Sequence, residues 1–204
     1  MTDDTRSDGR RLEQLWAGRF GDEYTERNVA SGDGRGAFWS RILAAFPVTT
    51  VLEVGCNVGA NLRWIAAGRR AVGVDVNAHA LDELRSRVPD ALGVRGSARQ
   101  LPFPDGSFDL AFTAGVLIHQ SSDGLSEAMS EIVRCSRRYV LCAEYFSEEP
   151  VEVPYRGQTG ALFKRDFGGL YQRQFPALAL RERGFLSRAE GWDDVTYWIF
   201  QKNS

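Results

Sequence analysis

A short apolar segment that ends in a glycine-containing turn, Val51–Ala60 (VLEVGCNVGA), constrains the fold of this chain more than any other stretch. Its first four residues are typical of a short buried strand. Gly55 and Gly59 predict the tight turn that leaves the strand, and residues 61–67 are expected to form the next helix. A strand, a glycine turn and a helix make half of a nucleotide-binding unit, in which backbone N–H groups approach an anionic ligand. The alternative is an ordinary strand-to-helix turn, because the spacing is not the G-x-G-x-x-G of dinucleotide enzymes.

Further apolar segments alternate with amphipathic helices along the chain. Strands are predicted in Ala71–Asp75, Leu92–Gly96, Phe108–Ala114, Arg138–Ala143 and Thr196–Lys202. This alternation predicts an α/β fold with a parallel sheet that is covered by helices on both faces. The segment Leu178–Arg188 is expected to contain the partner of the last strand, and its own sequence fits the start of a helix as well as a strand.

Length, charge and cysteine content limit the classes of protein to consider. The chain has 204 residues, enough for one domain, and its net charge of −2 gives no reason to expect nucleic acid or an anionic membrane as partner. No apolar run approaches the roughly 20 residues of a membrane span. The polar N-terminus, expected to be disordered from Met1 to about Gly9, has no signal-peptide core. Cys56, Cys135 and Cys142 lack zinc-type spacing and fit free thiols in the cytoplasm, so no metal is expected.

Small and polar residues follow four of the predicted strands, at the ends where doubly wound sheets bind ligands. They are Gly55 and Gly59 after the first strand, Asp75 at the end of the second, Ser97 and Ala98 after the third, and Ala114 to Val116 after the fourth. An ionised carboxylate accepts two hydrogen bonds, so Asp75 suits the two hydroxyls of a ribose. The alternative role of Asp75 is the N-cap of the next helix, for which Asn77 is better placed.

These motifs give the chain a resemblance to a known family. From about Val51 to Leu141 it resembles class I S-adenosylmethionine-dependent methyltransferases of the type that carries E-x-G-x-x-x-G, an acid at the end of the second strand, and L-P-F-x-D-x-S-F-D. Almost the whole chain is similar to the methylases associated with pseudaminic acid biosynthesis, through FGDEYTERN, VGCNVGANL, GVLIH, RCSRRYVL, EYF, YRG, LFKRDFG and DDVTYW.

The resemblance implies a fold and a division of the chain. The fold is a Rossmann-like, seven-stranded, mostly parallel sheet with the strand order 3-2-1-4-5-7-6, an antiparallel last strand, helices on both faces and an N-terminal helical lid. The single methyltransferase domain of residues 1–204 would comprise a lid segment (1–46), a cofactor-binding core (47–145), a substrate-side insertion (146–170) and C-terminal closing strands (171–204).

The resemblance also implies a set of residues that bind S-adenosylmethionine and its product S-adenosylhomocysteine. They are Glu53, Gly55, Cys56, Asn57 and Gly59 around the methionine moiety, Asp75 and Val76 at the ribose, Ser97 and Ala98 at the adenine edge, and Ala114 and Gly115 at the methionine amine. The broad class usually has an acid where Ser97 stands. A serine hydroxyl can bind the adenine amino group, although more weakly than a carboxylate.

Three residues are candidates for the chemical step, in which an oxygen or ammonium acceptor must also lose a proton. His119, after the fourth strand, is the best-placed base, and its alternative role is a structural histidine that caps the following turn. Glu144, at the end of the fifth strand, would orient the acceptor together with Tyr145, unless this strand end only faces solvent. Tyr24 would face the ligand from the lid, together with Arg27, unless their segment is a solvated helix start.

The irregular region after the fifth strand supplies most of the remaining candidates for substrate binding. The full set is Tyr24, Arg27, His119, Tyr145, Tyr155, Arg156, Lys164, Arg165 and Asp166. Cations beside the site would suit a phosphate, a carboxylate or a nucleotide sugar, and the alternative is a solvated loop.

The predicted function is O- or N-methylation of a small polar metabolite, such as an amino sugar or a nucleotide sugar, by a cytoplasmic monomer or homodimer. The first alternative is a catalytically silent module that binds S-adenosylmethionine or S-adenosylhomocysteine, and the second is a methyltransferase for an amino acid or a protein side chain. A nicotinamide-dependent oxidoreductase is disfavoured by the missing G-x-G-x-x-G and by Glu53 before the turn. Nucleic acid is disfavoured because no basic stripe is present.

Overall fold

A seven-stranded sheet runs through the centre of the computed structural model, which describes residues 4–29 and 33–203. The strands of the chain are β1 (Thr50–Val54), β2 (Arg70–Asp75), β3 (Ala91–Arg95), β4 (Phe108–Ala114), β5 (Ser136–Glu144), β6 (Val151–Glu152), β7 (Phe163–Lys164), β8 (Leu178–Leu186) and β9 (Val195–Lys202). The large sheet has the order β3-β2-β1-β4-β5-β9-β8, and β6 and β7 form a separate two-stranded ribbon.

The strand directions follow the predicted pattern. Strands β1 to β5 pair in parallel, and β9 is antiparallel to both of its neighbours, β5 and β8. This arrangement confirms the predicted α/β class, strand order and antiparallel last strand. The ambiguous segment Leu178–Arg188 is mainly the edge strand β8, with a register shift between Leu180 and Glu182.

Helices cover both faces of the sheet. They are α1 (Asp4–Ala17), α2 (Arg19–Asn28), α3 (Gly36–Ala45), α4 (Leu62–Ile65), α5 (Ala78–Arg87), α6 (Ser122–Cys135) and α7 (Phe167–Gln174). Successive residues of β1 point to opposite faces, so that Val51 packs with α3 while Leu52 packs with α6 and α7. Burial on both faces explains why the central strands are predominantly apolar. No helix in the described part of the chain is long and apolar enough to cross a membrane.

The N-terminal segment is more ordered than its composition suggests. Helix α1 begins at Asp4, so the prediction of disorder is wrong from Asp4 to Gly9, while residues 1–3 lie outside the described residues. Tertiary contacts account for the difference, because Gly9 is buried beneath the Arg99 side chain and Arg11 donates a hydrogen bond to the carbonyl of Gly160 (3.3 Å). The four-part division of the domain stays a prediction.

Candidate functional site

A cavity opens at the carboxyl ends of β1, β2 and β4, below the helix pair α1 and α2. Among the residues predicted to bind cofactor or substrate, its walls contain Tyr24, Glu53, Gly55, Cys56, Asn57, Asp75, Val76, Ala98, Ala114, Gly115, His119, Tyr145 and Tyr155. Residues from the lid, the three strand ends and the insertion therefore meet at one place, as the topology of a doubly wound sheet predicts.

The turn after β1 has the left-handed conformations that its glycines permit. Gly55 has φ +73°, and a Cβ there would collide with the adjacent Val116 side chain. Gly59 has φ +80° and packs against Leu84 of α5, so it shapes the turn and does not line the cavity. Gly115, with φ +70°, faces open space in which a Cβ would meet no atom of the described residues. The floor of the cavity thus leaves room for a ligand beside the backbone.

Asp75 is held at the end of β2 by two backbone donors. Its Oδ2 accepts the N–H of Asn57 and its Oδ1 accepts the N–H of Asn77, both at 2.9 Å. Burial raises the pKa of Asp75, and these hydrogen bonds oppose the shift. The N-cap of α5 is Asn77, which accepts the N–H of Ala80 at 2.8 Å. Each oxygen of Asp75 therefore keeps acceptor capacity, and two adjacent hydroxyls match this geometry.

Glu53 presents an unused buried oxygen to the same cavity. Its Oε1 accepts a hydrogen bond from Asn61 Nδ2 at 2.6 Å, while Oε2 has no hydrogen-bond partner among the described residues. Burial raises the pKa of Glu53 to about 8, although Asn61 and the charge of Arg35 oppose the shift. Arg35 donates to Asn61 Oδ1 (3.0 Å), as does the indole of Trp39 (3.2 Å). An ammonium group would satisfy the orphan oxygen of Glu53.

His119 has a defined tautomer. Its Nδ1 lies 2.6 Å from the carbonyl oxygen of Ala161, and a carbonyl only accepts, so Nδ1 carries the hydrogen. Burial lowers the pKa of His119 to about 4, although this hydrogen bond opposes the shift. The ring is therefore neutral near pH 7, and the lone pair of Nε2 has no hydrogen-bond partner among the described residues. Its centroid lies 4.4 Å from the ring of Trp16 in α1 and 5.2 Å from that of Tyr155.

Three tyrosines and an aspartate surround the part of the cavity next to His119. They are Tyr24 from α2, Tyr145 after β5, Tyr155 from the insertion and Asp193 before β9. Burial raises the pKa of Tyr145 to about 12 and that of Tyr24 further above its usual value, so both hydroxyls stay protonated. This region offers neutral hydroxyls, aromatic rings and one carboxylate.

Glu144 is placed differently from its prediction. Its buried carboxylate accepts the backbone N–H groups of Val116, Leu117 and Ile118 at 3.2–3.3 Å and does not line the cavity. Burial raises the pKa of Glu144 to about 7, and these donors oppose the shift. The structure thus corrects the expectation that Glu144 touches the acceptor: it positions the turn that carries His119.

The predicted cationic cluster of the insertion is likewise not part of the cavity wall. Arg165 is 7% exposed, donates to the carbonyl of Gln120 (3.1 Å) and stacks on Phe163. Asp166 is the N-cap of α7, where it accepts the N–H of Gly169. The other three cations do not line the cavity, and each lies over the ring of a tyrosine that does: Arg27 over Tyr24, Arg156 over Tyr155 and Lys164 over Tyr145. These four cations were expected to face an anionic ligand, and their positions correct that expectation.

Ser97 also lies outside the cavity wall, and its hydroxyl donates to Glu13 of α1. Sequence reasoning missed several cavity residues, among them Glu13, Trp16, Arg35, Trp192 and Asp193. One signal was available for the lid: Trp16, Phe20 and Tyr24 recur at every fourth position, and their rings lie in contact with one another through Trp16 (5.2 Å in both pairs).

Comparison with known proteins identifies the type of domain in the central part of the chain. Residues 52–142 match the family described as "Methyltransferase domain". Over 93 residues (45% of this chain and 44% of the relative), the sequence is 34% identical to an uncharacterized methyltransferase of Synechocystis sp.. The matched segment spans less than half of the length of the curated relatives.

Solved structures share the fold over almost the whole chain. The magnesium protoporphyrin IX methyltransferase of Synechocystis PCC 6803 with bound S-adenosylhomocysteine has a TM-score of 0.72 at 14% identity, covering 95% of this chain and 99% of that one. The 1,6-didemethyltoxoflavin-N1-methyltransferase of Burkholderia thailandensis, with its substrate and S-adenosylhomocysteine, has a TM-score of 0.67 at 16% identity, covering 98% and 86%. At these identities the likeness shows the fold.

Proposed function

We propose that this chain, whose residues 52–142 match a methyltransferase domain, uses S-adenosylmethionine to methylate an amine or hydroxyl group of a small polar metabolite. The observation that carries the proposal is the pair of acids in one cavity. Asp75 offers two anchored oxygens, and Glu53 offers an oxygen without a partner among the described residues.

The described residues fit the cofactor from end to end. Asp75 would hold the ribose hydroxyls, while Glu53 and Arg35 would bind the ammonium and the carboxylate of the methionine moiety. Gly115 leaves open space for the thioether chain. When bound, the cofactor supplies a methyl group activated by a sulfonium. Bound S-adenosylhomocysteine in two solved structures of the same fold supports this choice.

His119 is the proposed proton acceptor of the chemical step. Its Nδ1–H is engaged by the Ala161 carbonyl, so the lone pair of Nε2 is free to take the proton that the acceptor oxygen or nitrogen loses. Glu144 supports this role indirectly, because it holds the backbone turn of residues 116–118. Trp16 and Tyr155 pack on the imidazole ring and shield it from water.

The walls beside His119 favour an uncharged or amine-bearing acceptor. Tyr24, Tyr145 and Tyr155 supply neutral hydroxyls and ring faces, and Asp193 supplies a negative charge. Among the described cavity residues Arg35 is the one cation, and it would form an ion pair with the methionine carboxylate. An amino sugar therefore suits this site better than a nucleotide sugar. The pseudaminic acid relationship, the cytoplasmic location and the monomeric or homodimeric state stay predictions.

Titration calorimetry with S-adenosylhomocysteine and with NAD tests the cofactor assignment. We expect one S-adenosylhomocysteine to bind per chain and NAD to bind far more weakly. The protein is then incubated with S-adenosylmethionine and matched amino sugars, neutral sugars, nucleotide sugars and amino acids, and products are screened by mass for one added methyl group. Preference for NAD contradicts the proposal. Tight cofactor binding without turnover of any acceptor or cell extract supports the silent binding module. Turnover of amino acids alone supports a methyltransferase that acts on an amino acid or a protein side chain.

Replacement of His119 by alanine is expected to lower turnover of the identified acceptor by about 10²–10⁴-fold, because the proton acceptor is lost. Affinity for S-adenosylhomocysteine should change little. His79, the other histidine of the chain, lies on α5 and does not line the cavity, so His79→Ala is the matched control. Equal turnover of both variants, measured as S-adenosylhomocysteine release, would show that His119 has only a structural role.

A further inference from the structure

The lid contributes a carboxylate to the part of the cavity beside the ends of β2 and β3. Leu12 and Glu13 of α1 line this end together with Val76, Gly96 and Ala98, which follow β2 and β3. The sequence of α1 alone does not identify Glu13 as a ligand contact, because its neighbours on the helix (Gly9, Arg10, Trp16 and Ala17) form no binding motif. Its position results from the docking of α1 on the loop after β3.

Glu13 is held by a network that leaves one of its oxygens underused. Arg99 donates from Nε to Oε1 (3.1 Å) and from Nη2 to Oε2 (3.0 Å), which is the bidentate geometry of a strong ion pair. The hydroxyl of Ser97 donates to Oε1 and accepts the N–H of Arg99 (3.1 Å). Oε1 therefore has two donors, and Oε2 has one. A carboxylate oxygen has two lone pairs, so Oε2 can accept one more hydrogen bond.

We propose that Glu13 recognises the base of the cofactor by accepting a hydrogen bond from the 6-amino group of adenine. This inference rests on the proposed function. With the ribose at Asp75, the base extends toward Val76 and Ala98. Glu13 lines this part of the cavity and supplies a carboxylate there. Ser97 is predicted to contact adenine directly. Its hydroxyl instead donates its hydrogen to Glu13, so Ser97 acts as a positioning residue. The carboxylate that binds the adenine amino group therefore comes from the lid and not from the end of a sheet strand.

This arrangement couples cofactor binding to the position of α1. The Glu13 carboxylate joins the helix to the loop of residues 97–99, and the same helix carries Trp16 to the ring of His119. A cofactor that binds Glu13 thereby also stabilises the wall of the acceptor site. We expect amide hydrogen exchange in α1 to slow on addition of S-adenosylhomocysteine.

The test measures base discrimination by calorimetry with two ligands, S-adenosylhomocysteine and S-inosylhomocysteine, in which an oxo group replaces the 6-amino group. The unsubstituted protein should prefer the adenine ligand by about ten- to a hundredfold, the range for a hydrogen bond to a charged group. In Glu13→Gln this preference should fall to within about threefold, because a glutamine can present its NH₂ to the oxo group. Glu23→Gln is the control, since Glu23 pairs with Arg19 on the exposed surface of α2.

A second pair of variants moves the acid to the sheet. Glu13→Ala should lose affinity for S-adenosylhomocysteine, and Ser97→Asp in the Glu13→Ala background should recover it. The proposal is overturned if Glu13→Gln keeps the full preference for adenine, or if it loses affinity for both ligands equally, as a purely structural contact would. If the unsubstituted protein binds neither ligand, the cofactor assignment itself fails.

Discussion

Replacement of Asp75 by alanine is expected to weaken S-adenosylhomocysteine binding by at least about a hundredfold. Two hydroxyl hydrogen bonds to an ionised carboxylate contribute roughly 1.5–3 kcal/mol each, and the variant loses both. The same substitution frees the N–H groups of Asn57 and Asn77, which hold the turn after β1 and the start of α5. Titration calorimetry at one pH measures the effect, and circular dichroism establishes that the variant is folded.

Two further variants separate the ribose contact from the support of the loop. Asp75→Asn keeps the size of the side chain and one strong acceptor, so its loss of affinity should be smaller than that of Asp75→Ala. Asp82→Ala removes an exposed acid of α5 that pairs with Arg85, and it should bind like the unsubstituted protein. Undiminished affinity of Asp75→Ala would refute the assignment of the ribose to this residue.

The largest effect on stability is expected for Asp109, which joins the start of β4 to β1 and β5. Its Oδ2 accepts the N–H groups of Thr49 (2.8 Å) and Thr50 (3.0 Å) and both threonine hydroxyls (2.8 and 3.1 Å). Its Oδ1 accepts a hydrogen bond from the Arg137 guanidinium. Asp109 is 4% exposed, so its removal leaves several donors without partners. Asp109→Ala should lower the free energy of unfolding by about 2–4 kcal/mol, and the melting temperature by roughly 5–15 °C.

The same contacts predict a dependence of stability on pH. Burial alone would raise the pKa of Asp109, but the hydrogen bonds of Arg137, Thr49 and Thr50 hold it well below its usual range. In the unfolded chain this carboxyl has a pKa of about 3.9. The ionised form therefore stabilises the fold above about pH 4, and this stabilisation is lost as the pH falls below that value toward the folded-state pKa.

Urea unfolding between pH 7 and pH 3 measures both effects. The unsubstituted protein should lose stability steeply below about pH 4, whereas Asp109→Ala should start lower at pH 7 and lose less on acidification. Asp105→Ala is the control, since Asp105 pairs with Arg134 but its side chain is 83% exposed. Identical pH profiles for Asp109→Ala and the unsubstituted protein would contradict the role assigned to this residue.

Much of the fold was predictable because the relevant patterns are local. The predominantly apolar runs of β1, β2 and β4 identify strands that are buried on both faces, and the left-handed turn after β1 needs the glycines that the sequence places there. Asp75 could be assigned to the cavity for the same reason, since it ends a predicted strand. The register shift in β8 was not predictable, because in A-L-A-L-R-E-R-G-F-L neither the strand period nor the helix period separates an apolar face from a polar one.

The predicted side-chain roles fail where a partner lies far away in the sequence. Glu144 stands at a strand end that faces the cavity, yet the nearest unpaired N–H groups belong to the turn of residues 116–118, and its carboxylate binds them. Arg165 lies in a loop that looks solvated, yet it reaches the carbonyl of Gln120, 45 positions earlier. A buried charged group must form hydrogen bonds to offset the cost of leaving water, and no local sequence pattern specifies which distant group will be its partner.

By itself the sequence determined the strand and glycine turn at Val51–Ala60 with the helix that follows, the alternation that builds the sheet, and the acid that ends β2. These features depend on hydrophobic period and backbone conformation, which act over a few residues. The tertiary structure alone decided that Arg35 supports Glu53 through Asn61 and that Glu13 joins Ser97 across 84 positions of the chain. Such contacts form only when α1 and α3 dock on the sheet, because burial selects hydrogen-bond partners after the elements have packed.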